Sequence, residues 1–277
     1  MRNIAAELFG GSQYDCIWYL TNCGFALRLH GKVIFIDPVL APSNPHYEEN
    51  RRRFADGSDL PPELRPYAGD DVYIQENEIP LAAGDVERAD LVLLSHADSD
   101  HLDAESLRTL APLKPTVLAP RYCHDALQRT GLAIESIRDA KFGADFHFDQ
   151  LEVKVTYAKH HTEGDCGYLI EAGLGNIYYP GDTKFDHPHK EEMCALDVDY
   201  LLLPINDTNM GVGFAAQLTQ ILQPRVVIPC HFGFFWPPIR SQGGHPAEFL
   251  TAIAARGYRL PDTDIAVLRP GGKVVLC

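Results

Sequence analysis

Apolar positions along the chain gather in short runs bounded by turn residues. Residues 17–29 are rich in apolar and aromatic side chains, and Lys32-Val33-Ile34-Phe35-Ile36 follows Gly31. This pattern predicts two adjacent strands turned at His30-Gly31, the second stopped by Asp37-Pro38. A buried strand is expected at 89–94, ending at Ser95-His96. Another is expected at 115–120, between stretches of helical spacing at 104–113 and 121–130. Leu151–Tyr157 alternates as a half-buried strand, and 167–171 with 176–180 reads as a hairpin through 172–175. Residues 200–204 predict one more buried strand, 214–222 a helix ending at Gln223-Pro224, and 225–229 a strand leading into Cys230-His231. The helix expected at 246–256 has Pro at its start and Gly257 just past its end, the asymmetry that helix termini favour. Residues 266–269 and 273–276 are expected to pair as a closing hairpin through Pro270-Gly271-Gly272.

Strands thus come first in hairpins, then alternate with helices, then return. That order predicts an α/β protein with two sheets and helices outside them, in a single domain over 1–277. Residues 41–80 break the pattern: they are rich in Pro and charge, contain Arg51-Arg52-Arg53, and read as a long loop or insertion. A loop of that length in a compact domain is usually functional or disordered.

Composition narrows the class. Of the 277 residues, 45% are hydrophobic and 22% charged, the profile of a soluble globular protein. Lys+Arg is 24 against Asp+Glu 38, a net charge of −14 that argues against nucleic-acid and membrane-surface partners, both of which need a basic face. No leader-like segment or apolar run of about 20 residues is seen, so the expected location is cytoplasmic. The seven Cys are scattered without CxxC pairs and read as reduced thiols, mostly small core residues. A homo-oligomer is left open.

The chemistry concentrates in Ser95-His96-Ala97-Asp98-Ser99-Asp100-His101-Leu102-Asp103, where four potential metal ligands fall within six residues after an apolar strand. Imidazole and carboxylate together suit Zn²⁺, Mn²⁺ or Fe²⁺. Taken alone, the segment also fits an acidic loop with two surface His. Three later segments repeat the design: His160-His161, Gly181-Asp182-Thr183 and Cys230-His231 each follow a predicted strand. Four such strand ends in one chain point to a shared metal site.

The order His-x-Asp-x-Asp-His, Ala-x-His, Gly-Asp-Thr, Pro-x-His resembles the metallo-β-lactamase superfamily. Within it, the chain is similar to the ascorbate-6-phosphate lactonase branch through Ile17-Trp18-Tyr19-Leu20-Thr21-Asn22-Cys23-Gly24, the charged insertion, Leu93-Leu94-Ser95-His96 and Pro270-Gly271-Gly272-Lys273. The resemblance implies a four-layer αββα sandwich holding one or two divalent ions. It implies His96, Asp98 and His160 as ligands of a first metal, Asp100, His101 and His231 of a second, and Asp182 as the bridge. It also implies a hydroxide generated at the metals as nucleophile, with Asp100 both ligand and catalytic residue. The superfamily usually has His where this chain has Asp98; a carboxylate there favours the harder Mn²⁺ or Fe²⁺ without excluding Zn²⁺. His160 and His161 compete for one ligand position; the Ala-x-His register favours His160, which leaves His161 to meet the substrate or to support the ligands.

Other residues have weaker claims. Arg51 and Arg53 are candidates to meet a substrate phosphate or carboxylate, although a solvated charge run explains them equally simply. Asn206, with Asp207 and Thr208, follows a buried strand and either lines the site or forms only a turn. His187 and His189 follow Asp182 closely enough to be considered, and the aromatic residues around His231 read mainly as packing. The resulting expectation is a hydrolase of a small anionic molecule, foremost a sugar lactone that can carry a phosphate. A phosphodiesterase acting on a small nucleotide or phospholipid headgroup is the first alternative. A non-catalytic metal-binding sensor is the second.

Overall fold

The computed structural model describes residues 3–10, 14–41, 79–232 and 244–276. Fourteen strands are found among them: β1 (Cys16–Thr21), β2 (Gly24–Leu29), β3 (Lys32–Ile36), β4 (Leu91–Leu93), β5 (Thr116–Ala119), β6 (Ile137–Asp139), β7 (Asp145–Phe148), β8 (Leu151–Tyr157), β9 (Cys166–Glu171), β10 (Asn176–Tyr179), β11 (Tyr200–Pro204), β12 (Val226–Cys230), β13 (Asp264–Ile265) and β14 (Lys273–Val275). Six α-helices accompany them: α1 (Ala5–Phe9), α2 (Ala104–Leu110), α3 (His124–Gln128), α4 (Lys190–Cys194), α5 (Gly211–Leu222) and α6 (Pro246–Ala255).

The strands form two seven-stranded sheets, ordered β14-β1-β2-β3-β4-β5-β6 and β13-β12-β11-β10-β9-β8-β7. Each is antiparallel on one side and parallel on the other. In the first sheet β3 to β6 run parallel, and in the second β10 to β13 do. This is the α/β two-sheet arrangement expected. One apolar cluster lies between the sheets, joining Phe25, Ile34 and Leu93 to Val153, Tyr168 and Ile170, and runs on to Ala215 and Phe249 of α5 and α6. A second cluster packs Trp18, Phe35 and Val92 of the first sheet against Leu8, Leu107 and Leu127 of α1, α2 and α3. Strands β1, β2, β4 and β11 are buried on both faces, which explains why their sequences are nearly continuous apolar runs.

Two expectations are corrected. Residues 17–29 are not one strand but the hairpin β1–β2, turned at Asn22-Cys23. Asn22 takes a positive φ of 52°, which Asn tolerates better than most residues. Gly24 is needed because a Cβ there would lie 2.9 Å from the Asp37 carbonyl oxygen. The closing hairpin is also absent: 266–269 is not a strand, the short β13 just before it pairs with β12, and β14 pairs with β1 in the other sheet. Ala266 N donates to Val227 O, while Gly271 N donates to Tyr19 O, and the Pro-Gly-Gly stretch carries the chain from one sheet to the other.

The strand order sets up the site. In parallel sheets, ligands collect beyond the carboxyl ends of the strands. β3 is followed by Asp37, β4 by Ser95-His96, β10 by Asp182 and β12 by His231. The antiparallel pair β8–β9 adds its connecting loop, with His160, beside them.

Candidate metal centre

Local backbone chemistry places each side chain. After β4 the chain turns on the Asp98 carbonyl, which accepts from His101 N at 2.9 Å and Leu102 N at 2.7 Å. Asp103 then caps α2 by accepting from Ser106 N at 3.0 Å. Asp182 follows Gly181, whose φ is +64° and where a Cβ would meet Cys166 O at 2.4 Å, so only glycine fits this approach. His231 adopts a φ of 55° and donates its backbone N–H to Asn22 O at 2.7 Å.

The seven residues expected as ligands converge, and His161 lies beside them. Asp182 Oδ2 faces three imidazole nitrogens: His231 Nε2 at 3.0 Å, His101 Nε2 at 3.5 Å and His160 Nε2 at 4.0 Å. Asp98 Oδ2 faces another three: His161 Nε2 at 3.1 Å, and His96 Nε2 and His160 Nε2 at 3.4 Å each. Asp100 Oδ2 lies 3.7 Å from His231 Nε2 and 3.9 Å from His101 Nε2. Three groups of side chains have ligand atoms within 4.8 Å of one another: Cys23, Asp100, His101 and His231; His96, His160 and Asp182; and Asp98, His160 and His161. Both His160 and His161 reach Asp98, but only His160 shares a group with His96 and Asp182, while the His161 side chain is 61% exposed.

The donor set fits divalent cations. His96 Nε2 and Asp182 Oδ1 are both buried without a hydrogen bond, an arrangement that is unfavourable unless another partner supplies the missing interaction. Neutral imidazole and ionised carboxylate are the forms that bind metal.

Electrostatics couple the groups. Burial alone would raise the Asp182 carboxyl, but His231 and His101 outweigh it and hold the carboxyl well below its ordinary range. His160 and His96 likewise hold Asp98 far down. Burial opposes a proton on His101, yet the acidic groups Cys23, Asp182, Asp100 and Asp37 raise it well above the ordinary 6.5; His231 is raised too, against burial, chiefly by Asp182. For such raised histidines, the stability they contribute to the metal-free protein is full below the ordinary value and is lost as pH rises through the raised one. Metal must displace these protons. Adding Zn²⁺ or Mn²⁺ to metal-free protein at pH 7 is therefore expected to release at least about one proton per chain, read with an indicator dye in weak buffer. Uptake with no proton release would show that these imidazoles are already neutral.

Several supporting residues were not anticipated. Asp37 accepts at Oδ2 from His101 Nδ1 (2.7 Å), Tyr179 OH (2.8 Å) and Ser95 Oγ (2.5 Å), and at Oδ1 from Ser95 N (2.8 Å). That contact turns His101 Nε2 towards the centre, the usual carboxylate–histidine arrangement at metal sites. Asn22 Nδ2 donates to Asp100 Oδ2 at 3.0 Å. Cys23, expected only as a core residue, has its Sγ 3.3 and 3.4 Å from the two ring nitrogens of His101, and burial pushes its thiol up.

Other candidates go elsewhere. Asn206 is buried but spends its amide on the turn before α5, donating to Thr208 Oγ1 at 2.7 Å and accepting from Asn209 Nδ2 at 3.0 Å. His187 and His189 pack against Tyr157, at ring separations of 5.2 and 4.8 Å, and His189 Nδ1 meets Glu192 Oε1 at 2.8 Å. Phe232 is buried beside Tyr19, as packing predicted. Arg51, Arg53 and the aromatic residues after Phe232 lie outside the described residues.

Fold and site together define the class: the chain belongs to the metallo-β-lactamase superfamily, the family model described as "Beta-lactamase superfamily domain" matching residues 16–231. Within that class it belongs with the UPF0173 metal-dependent hydrolases. The protein of that name from Heliobacterium modesticaldum is 30% identical over 226 residues, covering 74% of this chain and 88% of the relative. The one from Exiguobacterium sp. is 25% identical over 91% of this chain and 99% of its own length. Among solved structures, Igni18, a metallo hydrolase from Ignicoccus hospitalis, matches with a TM-score of 0.65 and 22% identity over 95% of this chain and 98% of its own. The isothiocyanate hydrolase from Delia radicum gut bacteria matches with a TM-score of 0.66 and 16% identity, over 94% and 98%. Among the described residues no helix is long and apolar enough to cross a membrane.

Proposed function

We propose that this metal-dependent hydrolase opens a small anionic sugar lactone, phosphorylated sugars included, with His96, Asp98 and His160 holding one ion, Asp100, His101 and His231 a second, and Asp182 between them. The observation that supports this reading most is Asp182 Oδ2, which faces imidazoles of both sets within 3.0–4.0 Å. Divalent ions held there would lower the pKa of bound water to about 7 and polarise a carbonyl oxygen. The protein supplies the orientation. Asn22 fixes one oxygen of Asp100, so that this carboxylate is set to orient the attacking water and accept its proton. Asp37 fixes the His101 ring, and exposed His161 stands at the rim where it can meet the substrate. The negative charge of the chain does not oppose an anionic substrate here, because three of its carboxylates, Asp98, Asp100 and Asp182, would be offset by bound cations.

The test is hydrolysis of a panel of sugar lactones, with and without phosphate, alongside bis-p-nitrophenyl phosphate, each with Mn²⁺, Fe²⁺ or Zn²⁺. Metal-dependent ring opening is the expected result. Turnover of the diester with none of any lactone would replace this reading with a phosphodiesterase, and bound metal without turnover of either would leave a binding protein.

A further inference from the structure

We propose that Asp165, latched by Tyr122, is the positioning residue that holds His160 in register with His96 and Asp182; this rests on the metal-dependent reading above. His160 lies in the loop between β8 and β9, eight residues long from Ala158 to Asp165. A ligand on a loop has to be held within about 0.5 Å to keep its metal geometry, and a loop backbone does not provide that by itself. Here the backbone is pinned on both sides of His160.

On the N-terminal side, Lys159 N donates to Thr183 Oγ1 at 2.9 Å, and Lys159 O accepts from Lys184 N at 3.0 Å. These bonds tie the loop to the segment carrying Asp182. On the C-terminal side, everything converges on Asp165. Its Oδ2 accepts from His161 N at 2.7 Å and Thr162 N at 2.8 Å. Its Oδ1 accepts from Thr162 Oγ1 at 2.9 Å and from the Tyr122 hydroxyl. Its backbone closes the neck of the loop, with Ala158 N donating to Asp165 O at 3.3 Å. Asp165 is 2% exposed, so this carboxylate is an internal scaffold rather than a surface charge.

Tyr122 gives the latch its reach. It sits in the single helical turn Arg121–Cys123 after β5 of the first sheet, whereas Asp165 immediately precedes β9 of the second. The hydroxyl therefore joins the two halves beside the His160 loop. Gly164 approaches the tyrosine ring closely, since a Cβ there would lie 3.1 Å from it. Although 43% of Tyr122 is exposed, its hydroxyl donates to this buried carboxylate.

The two oxygens of Asp165 face different donors, and this separates the variants. Asp165→Ala removes all four bonds. Asp165→Asn can keep its oxygen on the two backbone N–H groups and point its amide NH₂ at Thr162 Oγ1 and Tyr122 OH, since hydroxyls turn to accept. Tyr122→Phe removes one bond only.

Metal-free protein would be titrated with Zn²⁺ by calorimetry, with folding checked by circular dichroism. Wild type is expected to take up two ions. Asp165→Ala should weaken one of them about 10–100-fold, the usual effect of losing an outer support, and leave the other unchanged. Asp165→Asn should bind within about threefold of wild type, and Tyr122→Phe should fall between the two variants. Adding Asp165→Ala to His160→Ala should cost nothing further, because the two act through one contact. Asp165→Ala with both affinities unchanged, or both weakened equally, overturns the proposal, as does full additivity with His160→Ala. If Asp165→Ala does not fold, Tyr122→Phe with unaltered affinity overturns it instead. A wild-type chain that binds no metal overturns the hydrolase reading itself, a different result from any of these.

Discussion

Asp182→Asn is expected to lower metal-dependent hydrolysis by about 10²–10³-fold, the scale on which a single preorganised charge contact in a dry site is felt. The substitution keeps the shape of the side chain and changes only its charge and one donor edge. In the native protein Asp182 Oδ2 faces the Nε2 atoms of His101, His160 and His231, while Oδ1 is buried without a hydrogen bond. An amide turned either way offers one N–H group to a set of atoms arranged for a cation, and an N–H group does not bind metal. The charge that holds His231 and His101 above their ordinary range also disappears, so both should titrate lower in the variant than in wild type. Turnover, bound metal after dialysis, and histidine titration by NMR together check this. A variant that keeps both ions and stays within tenfold of wild-type activity would mean that Asp182 does not join the two sets of ligands.

The parts of this centre legible in the sequence were those that obey one local rule: a short apolar run, then His or Asp. β4 before His96 and β12 before His231 are buried on nearly every residue, so their ends stand out against the polar residues that follow. Asp37 obeys the same rule after β3, but Asp-Pro is also ordinary strand-stop chemistry, and that reading hid its role. Asn22 and Cys23 were hidden differently. The chain reverses there through a positive φ at Asn22, without a Gly or Pro at the turn itself, so two strands looked like one. The terminal strands show the opposite error. Pro-Gly-Gly between two short apolar runs is good hairpin chemistry, yet pairing with β12 on one side and β1 on the other decided their places. Asp165 and Tyr122 lie 43 positions apart and act through a contact that no local pattern encodes.

Asp37→Asn is the second substitution with a large expected effect, and the contrast with Asp165 explains why. At Asp37, Oδ2 serves three donors, His101 Nδ1, Tyr179 OH and Ser95 Oγ, while Oδ1 serves the backbone N–H of Ser95. A backbone N–H cannot turn to accept. An amide oxygen left on the three-donor side therefore points its NH₂ at the Ser95 N–H, and the reversed amide, although Ser95 Oγ and Tyr179 OH can turn to accept from it, leaves the His101 Nδ1–H facing an NH₂. Either way a buried donor is stranded beside a residue that is itself fully buried, which costs about 1–3 kcal/mol, and more when a charged partner such as His101 loses its counter-charge. We expect a loss of about 3 kcal/mol in urea denaturation of the metal-free protein at pH 7, together with a 10- to 100-fold drop in metal affinity as the His101 ring loses its anchor. The deficit should depend on pH. Burial would raise the Asp37 carboxyl, but His101, His96 and Ser95 hold it below its ordinary 3.8. The stability it contributes is thus complete above that value and is lost as pH falls towards the depressed one. Wild type and variant should therefore converge on acidification. Equal stability and equal metal affinity at pH 7 would mean that Ser95, Tyr179 and His101 find other acceptors and that the orientation of the His101 ring does not depend on Asp37.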